Sequence, residues 1–159
     1  MKGITLTLLI LLFLPFCANA AIEITTDHRP LTFAVMQLGE EKELSGLGAY
    51  HNLISCSSTN GNTWYLKISV LQPLTAGQEA IPLENFRWQM AWTNGTGTVT
   101  NPYQFKGFSL FPDTVYISGP NEATGSAVDF QFKYQLKIPE AQVSGVYSTT
   151  VRFTLTEIL

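Results

Sequence analysis

Val128-Asp129-Phe130-Gln131-Phe132-Lys133-Tyr134-Gln135-Leu136-Lys137-Ile138 alternates apolar and polar residues without a break. Successive side chains of a strand point to opposite faces, so one face here is Val128, Phe130, Phe132, Tyr134, Leu136 and Ile138. A helix would scatter these six apolar residues around its circumference. The stretch therefore predicts a long strand with one face in a core. Pro139 ends it, because proline cannot donate to a ladder.

The same period runs outward in both directions. Tyr147, Thr149, Val151, Phe153 and Leu155 alternate with polar residues to the end of the chain, and Pro139 to Gly145 reads as a hairpin-like connection between the two runs. Upstream, Leu31–Leu38 and Tyr50–Ser57 read as strands. Ser58 to Asn62 is a turn marked by Asn60-Gly61. Trp64, Leu66, Ile68 and Val70 form the inward face of the next strand. Phe86, Trp88, Met90 and Trp92 form another, and Asn94 to Gly97 is the turn that follows. Shorter strands are expected near Tyr103–Leu110 and Thr114–Ser118. With no helix of any length, the chain is expected to be all-β: an antiparallel immunoglobulin-like β-sandwich of about seven to nine strands.

The N-terminus has a different character. Met1-Lys2-Gly3 is positively charged, Ile4 to Phe16 is apolar, and Ala18-Asn19-Ala20 offers small residues at a cut site. This is the three-part pattern of a secretory signal peptide cleaved after Ala20. The apolar run is shorter than the roughly 20 residues that span a bilayer. An uncleaved N-terminal anchor is one alternative, and lipid attachment at Cys17 is another, against which stands the bulky Phe16. Residues 1–20 are thus read as the signal and 21–159 as one domain, with no transmembrane segment after cleavage and a destination in the periplasm or on the cell surface. Cys56 is then the only cysteine left, so no internal disulfide forms. Its place in Asn52-Leu53-Ile54-Ser55-Cys56 reads as a small buried hydrophobe, the alternative being a thiol that pairs with another chain.

Composition narrows the function. Only 13% of residues are charged, and 9 basic residues face 12 acidic ones. With no basic run to pair with phosphates, nucleic acid is not an expected partner. His28 and His51 are far apart, no paired-cysteine or H-E-x-x-H spacing occurs, and Asp27, Asp113 and Asp129 are isolated. No metal, cofactor or catalytic residue is therefore assigned, and the chain is not expected to be an enzyme. Glu40-Glu41-Lys42-Glu43 is read as a solvated loop. Asn94-Gly95-Thr96 matches the N-glycosylation sequon in an accessible turn. Trp88 and Trp92 fall on one side of their predicted strand, with Tyr103 downstream. Such flat rings stack on sugars when exposed and pack in the core when not.

Trp64-Tyr65-Leu66 opens a strand, and Tyr147 to Thr156 closes the chain. Together they resemble the WxL-type domain of bacterial cell-surface proteins. Those domains carry an internal W-x-L motif and a second one near the C-terminus, are secreted, and attach non-covalently to the cell wall. Here the second motif reads Phe153-Thr154-Leu155, with Phe where the family has Trp. The last strand also looks like that of fimbrial subunits and spore-coat-type secreted domains, although pilins of the chaperone–usher type commonly carry a disulfide that this chain cannot form. The resemblance implies a non-enzymatic structural or adhesive protein whose partner is a cell-wall polymer, with Trp64, Leu66, Phe153 and Leu155 as its binding residues. Two further readings stay open. One is a fimbria-like subunit joined to itself or to other envelope proteins through strand edges. The other is a carbohydrate-binding module using Trp88, Trp92 or Tyr103.

Overall fold

The computed structural model of the chain describes residues 21–27, 29–44 and 50–159. The signal segment with Cys17, and His28, lie outside the described residues. The chain runs as β1 (Ile22–Thr26), β2 (Glu41–Leu44), β3 (Asn52–Ser58), β4 (Tyr65–Val70), β5 (Leu74–Ala76), β6 (Glu79–Ile81), a 3-10 turn (Leu83–Asn85), β7 (Phe86–Thr93), β8 (Thr98–Val99), β9 (Lys106–Gly107), β10 (Asp113–Ile117), β11 (Val128–Lys137) and β12 (Val151–Thr156). The fold is all-β, as the alternation demands. The strands are more numerous and shorter than expected, because several pair over only two or three residues.

Every pairing is antiparallel. One sheet has the order β1-β3-β11-β7-β9, with β2 beside the far half of β11. The second has the order β12-β4-β10-β8, and β5 and β6 form a separate hairpin. The sheets meet face to face through aromatic rings. Phe132 of β11 packs on Phe153 of β12 at 5.0 Å, and Phe130 packs on Tyr116 of β10 at 4.9 Å. β11 is central: its inward residues Val128, Phe130, Phe132, Tyr134 and Leu136 are all buried. Trp64, Leu66, Ile68 and Val70 face them from β4 and are also buried.

Four expectations are corrected here. Leu31–Leu38 forms no ladder and crosses from β1 to β2 as irregular chain. Its alternation instead places Leu31 and Phe33, with Met36 beyond them, against the core. Pro139–Gly145 is not a hairpin connection, because β11 and β12 belong to different sheets. Tyr103–Leu110 contributes only the two-residue β9. Glu41-Lys42-Glu43 is not loop but most of β2, which continues the lane of β3 alongside β11. Its charges find partners: Lys42 pairs with Glu40 at 3.0 Å and Glu43 with Lys133 at 3.1 Å.

Both sheets end on the same side in strands with one partner each. Among the described residues β1 pairs only with β3 and β12 only with β4. The two approach each other without pairing, so that side of the sandwich is open.

Candidate functional site

The W-x-L and F-x-L residues come together on paired strands. Leu66 sits beside Leu155, and Ile68 beside Phe153. Trp64 is fully buried, with its ring 5.6 Å from Tyr116 and 6.3 Å from Phe130. Its indole N–H donates to the Glu122 carbonyl at 3.0 Å. Phe153 and Leu155 are half-buried on the core side. These four residues pack the sandwich, and the face they form points inward.

The tryptophans of β7 part company. Trp88 is buried beside Phe132. Along β7, Met90 opposes Phe132 and Trp92 opposes Gln131, so Ala91 is an extra residue on the β7 side. This β-bulge shifts the alternation by one and turns the following side chain to the outer face. Trp92 is therefore 44% exposed, in a row with Gln131 and Leu53 across three strands. The expectation that Trp88 and Trp92 share a side fails for this reason. Tyr103 is 72% exposed in a separate loop, with a positive φ of 58°. No ring contact joins it to Trp92 among the described residues.

At one end of the sandwich a buried carboxylate holds the loops. Glu122 accepts from the Tyr116 hydroxyl at 2.8 Å, from the Gly119 N–H at 2.7 Å, and from both the N–H and the hydroxyl of Thr96. Burial pushes this carboxyl up, but the donors outweigh it and hold it below its ordinary value. A carboxylate so fully occupied braces loops and has little left for a substrate. Asn94 of the sequon is exposed, and its side-chain oxygen accepts from the Asp129 N–H at 2.8 Å. Cys56 is buried, and desolvation, with the Asp129 charge second, pushes its thiol up to about 12. It is thus a poor nucleophile. Among the described residues no group of three or more His, Cys, Asp or Glu could hold a metal ion.

The opposite end holds what the sequence did not announce. A cleft of about 1130 Å³ opens between the irregular segment 29–38 and the stretch 142–153 leading into β12. Its floor is apolar: Leu74, Ile81, Phe86, Leu136 and Phe153 line it. Phe33 on its wall packs edge-on against Phe86 at 6.2 Å. Thr26, Val151 and Phe153 also line a smaller groove that continues along the open side toward Ile24 and Leu71. Tyr134 lines the cleft too. It is fully buried, and its hydroxyl has no hydrogen-bond partner among the described residues. Burial, with the Asp27 charge second, pushes that phenol well above its ordinary value. The only sequence signal for the cleft was the strand-like alternation of Leu31–Leu38, which reports burial but does not say against what.

No family model matches the chain, and no curated protein matches it either.

Proposed function

We propose that the protein is a secreted, non-enzymatic structural or adhesive component of the bacterial envelope exterior, built on an immunoglobulin-like sandwich and joined to other polypeptides along its open side. The observation that carries this reading is the unpartnered edge of β12 above an apolar cleft. An edge strand presents a row of unpaired backbone groups, which is a template for pairing with another chain. Natural edges are commonly blunted by charge, proline or a bulge. β12 reads Val151-Arg152-Phe153-Thr154-Leu155-Thr156 and carries one charge. Pairing of the W-x-L and F-x-L strands fits a WxL-like protein, but the buried position of Trp64 and Leu66 makes them its support and not its contact surface.

A second reading, binding of a wall polysaccharide, is favoured by one observation. The bulge at Ala91 lays Trp92 on a flat outer face beside an amide side chain, Gln131. An exposed indole with neighbouring hydrogen-bonding groups suits the apolar face of a sugar ring.

Co-sedimentation separates the two. The protein is exported from a bacterial host, its N-terminus is read by mass spectrometry, and it is mixed with envelopes of the source cell before and after protease stripping. Retention on intact envelopes, lost on stripping and lost with Val151→Pro, is the expected result. Retention on stripped walls that Trp92→Ala abolishes favours the polysaccharide. Retention on neither overturns both.

A further inference from the structure

The outer face of the first sheet sets polar side chains around Trp92. Residues opposite each other on neighbouring strands share a face, so Trp92, Gln131 and Leu53 form one outward row and Asp129, Ser55 and Thr25 form the next. Trp92 and Asp129 are diagonal neighbours across β7 and β11, a spacing of roughly 7–8 Å. Asn94, just beyond β7, closes the group. Its side-chain oxygen accepts from the Asp129 N–H at 2.8 Å, and its amide nitrogen has no partner among the described residues. An exposed indole thus stands beside one carboxylate and two amides.

The charge on this half of the face is not compensated. One oxygen of the Asp129 carboxylate accepts from the Ser55 hydroxyl. Among the described residues no cation pairs with Asp129, or with the exposed Glu23, which lies opposite Ser57 in the following row. The next outward residue along β11 after Gln131 is Lys133, and it is held by Glu43 at 3.1 Å and lies over the Phe105 ring. These acids repel a sugar that carries a carboxylate or a phosphate. A neutral sugar can use the indole and the amides but leaves the carboxylate without a counter-charge. An ammonium group suits both kinds of neighbour: it makes a charge-assisted hydrogen bond to a carboxylate, and it is attracted to the face of an indole. The excess of 12 acidic over 9 basic residues draws such a cation from longer range.

We propose that Trp92, Asp129, Gln131 and Asn94 bind a polysaccharide of amino sugars whose amines are free. The apolar face of one sugar ring stacks on Trp92. An ammonium group on that ring or the next reaches Asp129, and the Gln131 and Asn94 amides bond to the hydroxyls. The inference rests on the polysaccharide reading above and names its sugar. The edge of β12 belongs to the other sheet and takes no part in it.

The test titrates the exported protein with three end-labelled oligosaccharides of equal length, made of glucosamine, of N-acetylglucosamine and of glucose. Binding is read by fluorescence anisotropy in mildly acidic buffer of low salt, where the amines are charged. The glucosamine chain is expected to bind, and the other two to bind at least about fivefold more weakly. Trp92→Ala abolishes binding of all three. Asp129→Asn keeps the shape and the melting temperature and brings glucosamine down to the level of the other two. Thr25→Lys, at an exposed site in the Asp129 row, supplies a competing cation and lowers glucosamine binding alone, so the charge is tested with Asp129 intact. Equal binding of the three chains, lost with Trp92→Ala, overturns the amine and leaves the polysaccharide reading standing. Glucosamine binding that neither Trp92→Ala nor Asp129→Asn changes is adsorption of a polycation to an acidic protein, and it overturns the site. Binding of none of the chains, with retention on stripped walls that still depends on Trp92, overturns the sugar named here. Binding of none and no such retention sinks the polysaccharide reading with it.

Discussion

Trp64 and Trp92 are the same side chain in opposite circumstances, and they behave oppositely on truncation. Trp64 is enclosed by Tyr116 and Phe130 and donates its indole proton to Glu122. Removing a buried aromatic ring costs about 3–5 kcal/mol, part lost transfer energy and part cavity. Trp64→Ala is thus expected to lower the urea midpoint sharply. Trp92→Ala, on the outer face, is expected to stay within about 0.5 kcal/mol. If the two variants melt alike, the bulge assignment is wrong. Trp64 was legible in the sequence, because Trp64, Leu66, Ile68 and Val70 keep strict period two. Trp92 was not. A bulge is a backbone decision taken against a partner strand, and Ala91 carries no mark of it.

Among the elements, the long strands were readable and the short ones were not. β11 and β4 announce themselves because each buries one whole face. β8 and β9 hold two residues each, too few for any period. Leu31–Leu38 shows that alternation records which residues meet the core only as far as Phe33, and says nothing of whether the backbone finds a ladder. Val35 within it is 94% exposed, although its pattern position is apolar. The turns sort in the same way. Gly61 has a φ of +73° with nothing within 4 Å of an added Cβ, so Gly61→Ala meets only backbone strain. That costs about 1 kcal/mol. Gly97 is different: an added Cβ would lie 2.1 Å from the Ile117 carbonyl oxygen, which is backbone and cannot step aside. Gly97→Ala is expected to cost about 3 kcal/mol, at the upper end of overpacking. Thermal melts should rank native, Gly61→Ala, Gly97→Ala in falling order. Asn60-Gly61 was recognisable as a turn by composition. The crowding around Gly97 depends on β10 passing beneath it, and only the assembled sheets supply that.

At the scale of the molecule, the two ends of the sandwich have opposite polar economies. Among the described residues the open end leaves the Tyr134 hydroxyl without a partner, whereas the closed end gathers its donors on Glu122. That difference makes the closed end sensitive to acid. The folded-state Glu122 carboxyl lies below its ordinary value of 4.5. A group depressed on folding binds fewer protons in the native state, so it stabilises the fold fully above its unfolded value, and the stabilisation is lost as pH falls through the folded value. Glu122→Gln keeps the shape but replaces an acceptor oxygen with a donor facing other donors. It should cost about 2–3 kcal/mol at neutral pH. As pH falls through the folded value, which lies below 4.5, the native carboxyl is itself protonated, and the difference between native and variant should shrink. The half-exposed ion pairs Asp27–Arg29, Glu40–Lys42, Glu43–Lys133 and Asp113–Lys106 are surface pairs of little net worth. They are also common to both proteins and cancel in the comparison. Urea midpoints of native and Glu122→Gln followed from pH 7 down to the acid limit of the native fold therefore isolate one carboxylate. A gap that stays as wide to that limit as at pH 7 would mean that Glu122 braces the loops by its shape alone, and that the charge contributes nothing.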